Sequence, residues 1–168
     1  MGSDRIDIER ITDFRIPLAI LKDEVIASEI YEDGAFLEIP DLVNEYWVAG
    51  YIDGNLAGCY RIHPMGGVLW QIHCRILPDF RQKWSEKISV SVLCWSFENI
   101  ENLQRIMCFV PACHRNVALH CKRVGFRKNG TLSASYVKDG QLVDQDIYSI
   151  DREKILSFME VEPCQRQR

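Results

Sequence analysis

The chain has 168 residues, of which 47% are hydrophobic and 26% are charged, and its formal net charge is -4. This composition is typical of one globular domain with a continuous core. It argues against a nucleic-acid-binding protein, which needs a basic face, and the apolar runs are too short to span a bilayer.

The first elements in the chain are a strand and a helical region. Residues 5–11 alternate between polar and apolar types, which is typical of a half-buried strand. From Pro17 to residue 30 the apolar residues recur at helical spacing, and Pro17 suits the first turn of a helix. Residues 31–43 contain Gly34 and Pro40, and they predict a loop with a short helix.

An antiparallel meander is predicted next. Residues 46–52 and 56–62 read as two strands joined by Asp53-Gly54, a dipeptide favoured in tight hairpin turns. Residues 68–77 then predict a third, long strand.

The second half of the chain alternates helices and strands. A helix is predicted over residues 85–99 with Ser85 as its N-cap, and the apolar run 105–110 is typical of a buried strand with parallel pairing. His114 or Asn116 opens a further helix, which Gly125 closes in the left-handed conformation. The remaining predictions are a closing hairpin (126–137 and 142–150) and a short helix with a tail (151–168).

This order of elements predicts an α+β fold. A single mixed, mostly antiparallel sheet of six or seven strands, with helices on both faces, would bury the apolar positions. We expect one domain over residues 1–150, to which the C-terminal helix and tail of residues 151–168 are attached.

Two stretches resemble the GNAT superfamily of acyl-CoA-dependent N-acyltransferases. Residues 76–86, Ile-Leu-Pro-Asp-Phe-Arg-Gln-Lys-Trp-Ser-Glu, are similar to the family segment V-x-P-x-x-R-G-x-G-x-G, and they follow a strand and precede a helix. Residues 116–126, which end in Gly125-Phe126, resemble the family helix N-x-x-A-x-x-x-Y-x-K-x-G-F. The resemblance covers roughly residues 5–150 and marks the chain as a divergent member with the GNAT-like fold.

The resemblance implies acetyl-CoA or another acyl-CoA as cofactor. In the family, backbone N–H groups at the start of a helix hold the pyrophosphate. The positions that match in this chain are Ile76, Leu77, Arg81, Gln82, Lys83, Trp84, Ser85, Glu86, His114 and Asn116. The three glycines of the family are replaced here by Gln82, Trp84 and Glu86, and a glutamate repels a pyrophosphate.

The resemblance also implies catalytic residues. Cys121 stands where the family has a tyrosine that protonates the departing thiolate; the alternative is a packed core thiol. His73 lies on the predicted strand before the cofactor loop and titrates near neutrality, so we interpret it as the candidate general base, with His63 as a second candidate. The alternative for His73 is a hydrogen-bonded residue on a half-covered sheet face. His114 is either a cofactor contact or a helix cap.

Two functions follow as hypotheses. The first is an N-acyltransferase in which a primary amine, of a small molecule or a peptide, attacks the thioester directly; acidic residues such as Glu38, Asp41 and Glu45 would suit a cationic amine, although a solvated loop also explains them. The second is an inactive binding or assembly protein with a degenerate cofactor loop. It rests on a weaker resemblance to GNAT-like proteins of short-tailed enterobacterial phages, some linked to head assembly or DNA delivery. Its partner would be a viral or host protein.

The remaining expectations concern thiols, metals and partners. The seven cysteines are odd in number and lack CxxC spacing, so we expect reduced thiols in a cytoplasm, the host's if the chain is phage-encoded. The pairs Cys113-His114 and His120-Cys121 do not place four ligands around one point, so no metal site is expected. The start of the chain lacks a signal-peptide pattern. The sequence leaves open whether the closing hairpin pairs with a second copy of the chain in a homodimer.

Overall fold

A computed structural model describes residues 5–161 of the chain. The strands of this part are β1 (Ile6–Arg10), β2 (Tyr46–Ile52), β3 (Asn55–Pro64), β4 (Leu69–Ile76), β5 (Arg105–Pro111), β6 (Arg127–Lys138) and β7 (Gln141–Asp151). The helices are α1 (Arg15–Leu21), α2 (Glu24–Ile30), α3 (Arg81–Asn99), α4 (Arg115–Val124) and α5 (Arg152–Val161), and a 3₁₀ turn (Pro78–Phe80) precedes α3.

The strands form one seven-stranded sheet in the order β1-β2-β3-β4-β5-β7-β6. Strands β4 and β5 are parallel, and every other neighbouring pair is antiparallel. A parallel connection needs a long crossover, and α3 provides it. The predicted mixed, mostly antiparallel sheet of six or seven strands is therefore confirmed.

Helices cover both faces of the sheet. One apolar cluster joins α3, α4 and α5 to the sheet, and its fully buried members include Tyr60, Ile88 and Ile155. A second cluster joins α1 and α2 to the opposite face, with Leu21 and Trp47 fully buried. Burying each such side chain stabilises the fold by roughly 1.5 to 3 kcal/mol, so the helices on both faces are held by the hydrophobic effect.

The region predicted as one helix from Pro17 to residue 30 is two helices. Helix α1 ends at Leu21, and Asp23 begins α2 as its N-cap, because its carboxylate accepts a hydrogen bond from the backbone N–H of Ile26 at 3.0 Å. The short helix predicted within residues 31–43 is also wrong, since this segment is irregular throughout.

The predicted N-cap at Ser85 is wrong. Pro78 has the dihedral angle that a first helical turn requires, and it starts the 3₁₀ turn that continues directly into α3 at Arg81. Ser85 therefore lies inside α3 rather than at its start, and the predicted loop of residues 76–86 is mostly helical.

The end of α4 and the closing hairpin agree with the sequence. Gly125 follows α4 with φ 102°, and a side chain there would lie 3.1 Å from Lys154 and 3.2 Å from Phe158. Asp139-Gly140 forms the turn between β6 and β7. The tail beyond residue 161, with Cys164, lies outside the described residues. Within residues 5–161, no helix is long and apolar enough to cross a membrane.

Candidate active site

Strands β4 and β5 separate near the middle of the sheet. They pair only from Leu69 to Gln71 on β4, opposite Arg105 to Met107 on β5. Beyond this point Cys74 is exposed although it lies on a central strand. Its surroundings nevertheless desolvate the thiol and raise its pKa to about 11. An exposed residue on a central strand, beyond the point where the strand pairing ends, indicates an opening between β4 and β5.

Thiols and hydroxyls line the side of this opening that α3 and α4 cover. The sulfur atoms of Cys108 on β5 and Cys121 on α4 are 3.7 Å apart. Either thiol can donate the hydrogen bond that joins them; with Cys108 as the donor, the bond lowers the pKa of Cys121 and raises that of Cys108. The predicted acid Cys121 is 6% exposed, so it lies at the inner end of the opening.

A chain of hydrogen bonds leads from this opening towards the surface. The Tyr60 hydroxyl lies 3.1 Å from Ser89 Oγ, which lies 3.0 Å from His120 Nε2. Burial lowers the pKa of His120, so its ring is neutral at neutral pH, and its tautomer decides whether Nε2 accepts the hydrogen bond from Ser89 or donates it. The sequence does not single out Cys108 or Ser89 as candidate site residues. Their only sign in the sequence is that each is a small polar residue within an apolar strand or helix.

The candidate base lies on the opposite face of β4. His73 stacks on His63, with ring centroids 5.3 Å apart and the two Nε2 atoms 3.2 Å apart. Burial, with Arg75 and Arg61 nearby, lowers the pKa of His73 to about 3. His73 is therefore neutral at pH 7 and a weaker base than an ordinary histidine. The structure thus brings together His73 and His63, the two residues that the sequence suggests as general bases.

Acidic and basic side chains neutralise each other beside the two histidines. Glu38 binds both Arg75, at 2.5 Å, and Arg61, and Glu45 also binds Arg61, at 2.7 Å. Asp41 instead accepts hydrogen bonds from backbone N–H groups within its own loop. The acidic set noted in the sequence is thus compensated by arginines, and no excess negative charge results from Glu38 and Glu45.

At the predicted cofactor loop, the side chain of Arg81 binds within the chain. Its Nε donates to the carbonyl oxygen of Ile76 at 2.9 Å, and its two terminal nitrogens bind the Glu29 carboxylate at 2.8 and 2.7 Å. The backbone N–H of Arg81 donates to Pro78 within the 3₁₀ turn, and that of Leu77 donates to Ala57 at 2.9 Å. These groups have partners within the protein.

The next five positions form the first turns of α3. Gln82, Lys83 and Glu86 are exposed, Ser85 is half-buried, and Trp84 is 8% exposed within the apolar core. The Lys83 ammonium lies 4.2 Å and that of Lys87 5.5 Å from the Trp84 ring centroid, and Glu86 pairs with Arg123 at 3.4 Å. Two ammonium groups therefore lie at the start of α3, where the helix dipole also favours an anion.

At the start of α4 the two remaining predicted positions differ in burial. His114 is the N-cap residue by position, but its side chain makes no capping hydrogen bond; its ring packs edge-on against Tyr136, with centroids 6.3 Å apart. Its Nε2 is buried without a partner in the described structure, and burial lowers its pKa. Asn116 is exposed. Within residues 5–161, no group of three or more metal-binding side chains is placed to hold an ion.

Comparison with known proteins identifies the family. The family model described as "Protein of unknown function (DUF2824)" matches residues 9–161. The chain belongs to the DUF2824 family. A search of curated proteins with this DUF2824 sequence finds no match.

Solved structures share the fold of this DUF2824 protein. Spermidine N-acetyltransferase from Vibrio cholerae, in complex with CoA and spermine, superimposes with a TM-score of 0.74 at 16% identity, over 90% of this chain and 98% of that one. Spermidine/spermine N-acetyltransferase SpeG from the same organism, in complex with manganese ions, gives a TM-score of 0.70 at 16% identity, over 91% and 96%. The GNAT-like acyl-CoA N-acyltransferase fold expected from the sequence is confirmed.

Proposed function

We propose that this protein is an acyl-CoA-dependent N-acyltransferase that acts on a primary amine. The observation that carries the proposal is the end of pairing between β4 and β5 after Gln71, beyond which Cys74 is an exposed residue on a central strand. A thioester on an extended arm would reach the sheet through the opening between the two strands. The solved acetyltransferase that superimposes on the chain binds CoA and spermine, which supports both the cofactor class and an amine acceptor.

The structure offers two ammonium groups for the phosphates of the cofactor. Lys83 and Lys87 lie over the Trp84 ring in the first two turns of α3, and Arg81 is bound to Glu29. Because Trp84 packs into the core, its ring does not cover the outer surface of the first helical turn. We therefore assign phosphate binding to Lys83 and Lys87 together with the start of α3, and not to the side chain of Arg81.

Residues on the two faces of the sheet beside the opening would accept and donate the protons of the reaction. The acyl-CoA supplies an activated carbonyl and a thiolate leaving group. His73, neutral at pH 7, would take the proton of the attacking amine and share it with His63 across 3.2 Å. On the opposite face of the sheet, Cys121 would protonate the departing thiolate and take a proton in turn from Cys108.

Calorimetric titration with acetyl-CoA and with free CoA tests the cofactor. We expect binding, and we expect Cys74→Trp to abolish it because the indole would fill the opening. Cys113→Trp is the matched control, since it adds the same bulk at an exposed position before α4. If acetyl-CoA and CoA do not bind at millimolar concentration, the proposal is wrong.

Turnover by the His73→Ala variant tests the base. We expect a loss of about 10²-fold in kcat, the low end for a positioned base because the pKa of His73 is about 3, with nearly unchanged affinity for acetyl-CoA. A loss of affinity without a loss of kcat would remove His73 from this role.

A second candidate is a binding or assembly protein without catalysis. It is favoured by the pairing of Arg81 with Glu29 and by three apolar side chains that project from the segment between α2 and β2: Phe36, Ile39 and Val43 are 93%, 86% and 85% exposed. Exposed apolar side chains on one segment of the chain suit a protein partner. A role in phage head assembly or DNA delivery, in a host cytoplasm, rests on the sequence resemblance alone. This candidate requires that acetyl-CoA does not bind, so the same titration separates the two.

A further inference from the structure

Cys108 and Cys121 are in contact on two elements that border the opening. Cys108 lies on β5 opposite Tyr148 of β7, so strand pairing on this side holds its backbone in place. Cys121 lies on the inner side of α4, three residues before the helix ends at Val124. Their sulfur atoms are 3.7 Å apart, and each is the other's hydrogen-bond partner.

The surroundings of the pair favour a reaction with a small oxidant. Cys74 is exposed and Cys108 is half-buried, so a molecule of the size of water reaches part of both residues beside the opening. The hydrogen bond from Cys108 lowers the pKa of Cys121, and the thiolate is the form of cysteine that attacks a peroxide. The second thiol is already in contact with the sulfur that would be oxidised first.

We propose that Cys108 and Cys121 form an oxidation site that reacts with a hydroperoxide and closes to a reversible disulfide. In the first step the Cys121 thiolate attacks the O–O bond of hydrogen peroxide, and with one proton this yields a sulfenic acid and water. In the second step the Cys108 sulfur attacks the sulfenic sulfur, the S–O bond breaks, and a second water leaves. Two thiols lose two electrons in total, and one peroxide is reduced to two waters.

The geometry requires only a small movement. A disulfide has a sulfur separation of about 2.05 Å, so the contact at 3.7 Å must shorten by about 1.7 Å. The bond would tie α4 to β5 and remove the thiol of Cys121. If the proposed function is right, oxidation therefore removes the proton donor to the leaving thiolate.

Mass spectrometry of the full chain tests the site without any acyl-CoA. The protein is treated with a small excess of hydrogen peroxide, free thiols are then alkylated, and the disulfide is located by peptide mapping. We expect a mass loss of two hydrogen atoms and a Cys108–Cys121 cross-link that dithiothreitol reverses. Cys108→Ser and Cys121→Ser should not form it, whereas Cys113→Ser, which replaces an exposed thiol elsewhere, should.

Two results would overturn the proposal. One is a cross-link that joins Cys74 to either partner, and the other is addition of oxygen to the thiols without any disulfide. Loss of acyl-transfer activity on oxidation, with recovery in dithiothreitol, would link the bond to catalysis. In Cys108→Ser no second thiol resolves the sulfenic acid, so we expect this variant to gain oxygen at Cys121 in place of the disulfide. Because the cross-link is measured in the absence of acyl-CoA, failure to bind the cofactor would disprove the proposed function and leave the oxidation site in place.

Discussion

The guanidinium group of Arg81 forms a two-pronged ion pair with the carboxylate of Glu29, with nitrogen–oxygen distances of 2.8 and 2.7 Å. The two side chains are 37% and 44% exposed, so the pair stabilises the fold by less than about 1 kcal/mol. The main effect of the pair is on the direction of the Arg81 side chain. The guanidinium binds Glu29 on α2, although the resemblance to the family assigns it to a cofactor phosphate.

Removing the Glu29 charge should free Arg81 for a cofactor phosphate. We expect Glu29→Gln to tighten acetyl-CoA binding several-fold in calorimetric titration, because the guanidinium is no longer held by a carboxylate and a negative charge is lost nearby. The free energy of unfolding should change by less than about 1 kcal/mol. Glu24→Gln removes the same charge from the first turn of α2 without touching Arg81. Equal gains in both variants would show a general charge effect instead.

Trp84 should be a structural residue although it occupies a glycine position of the family motif. It is 8% exposed and packs in the core on the α3 side of the sheet. We expect Trp84→Ala to lower the free energy of unfolding by about 3 to 5 kcal/mol in urea denaturation. Glu86→Gln, two residues further on, breaks an exposed contact with Arg123 and should cost less than about 0.5 kcal/mol. Similar costs for both variants would contradict this role of Trp84.

The sequence predicts the sheet well because each strand carries its own signal. The turn dipeptide Asp53-Gly54 and the helix stop at Gly125 are local signals, and the structure places them as expected. The start of α3 was misjudged because Ser85 is a good N-cap residue, whereas Pro78 already begins the helical turn. The break between α1 and α2 depends on one hydrogen bond of Asp23, which apolar spacing does not report.

The candidate site could be predicted only in part, because its contacts join distant residues. The positions of His73 and Cys121 came from the resemblance to the family, and their roles stay predictions. The partners that alter their chemistry lie elsewhere in the chain: Cys108 lowers the pKa of Cys121, and Arg75 and Arg61 help to lower that of His73. No spacing rule predicts such contacts between strands and helices.

His73 should make the protein less stable in acid. Its pKa is about 3 in the folded chain and about 6.5 in an unfolded one, so between these values the unfolded state binds a proton that the folded state does not. The free energy of unfolding should therefore fall as the pH decreases from 6.5 towards 3, by up to about 1.4 kcal/mol per pH unit from this group.

Urea denaturation across that pH range measures the effect. We expect His73→Asn to show a shallower loss of stability than the natural chain, while both share the contribution of every other titrating group. Identical slopes for the two proteins would show that His73 is protonated as readily in the folded state as in the unfolded state.

Glu38 should be the main support of the buried Arg75 charge. Arg75 is 7% exposed, its Nη2 binds Glu38 at 2.5 Å, and its Nε and Nη1 are buried without partners in the described structure. Breaking a buried pair costs about 3 to 5 kcal/mol, because one charge is left without its counter-ion. We expect Glu38→Gln to cost about 3 kcal/mol in urea denaturation, at the low end because Glu38 is partly exposed and Gln keeps an acceptor.

A double-mutant cycle with Arg75→Met separates this pair from the other contacts of Glu38. Once the Arg75 charge is gone, Glu38→Gln should lose only its contact with Arg61, which keeps Glu45 as a partner, and should cost less than about 1 kcal/mol. The difference between the two backgrounds is the coupling energy of Glu38 and Arg75. If Glu38→Gln costs the same in both backgrounds, Arg75 does not depend on Glu38, and the segment between α2 and β2 must be held to the sheet by its other contacts.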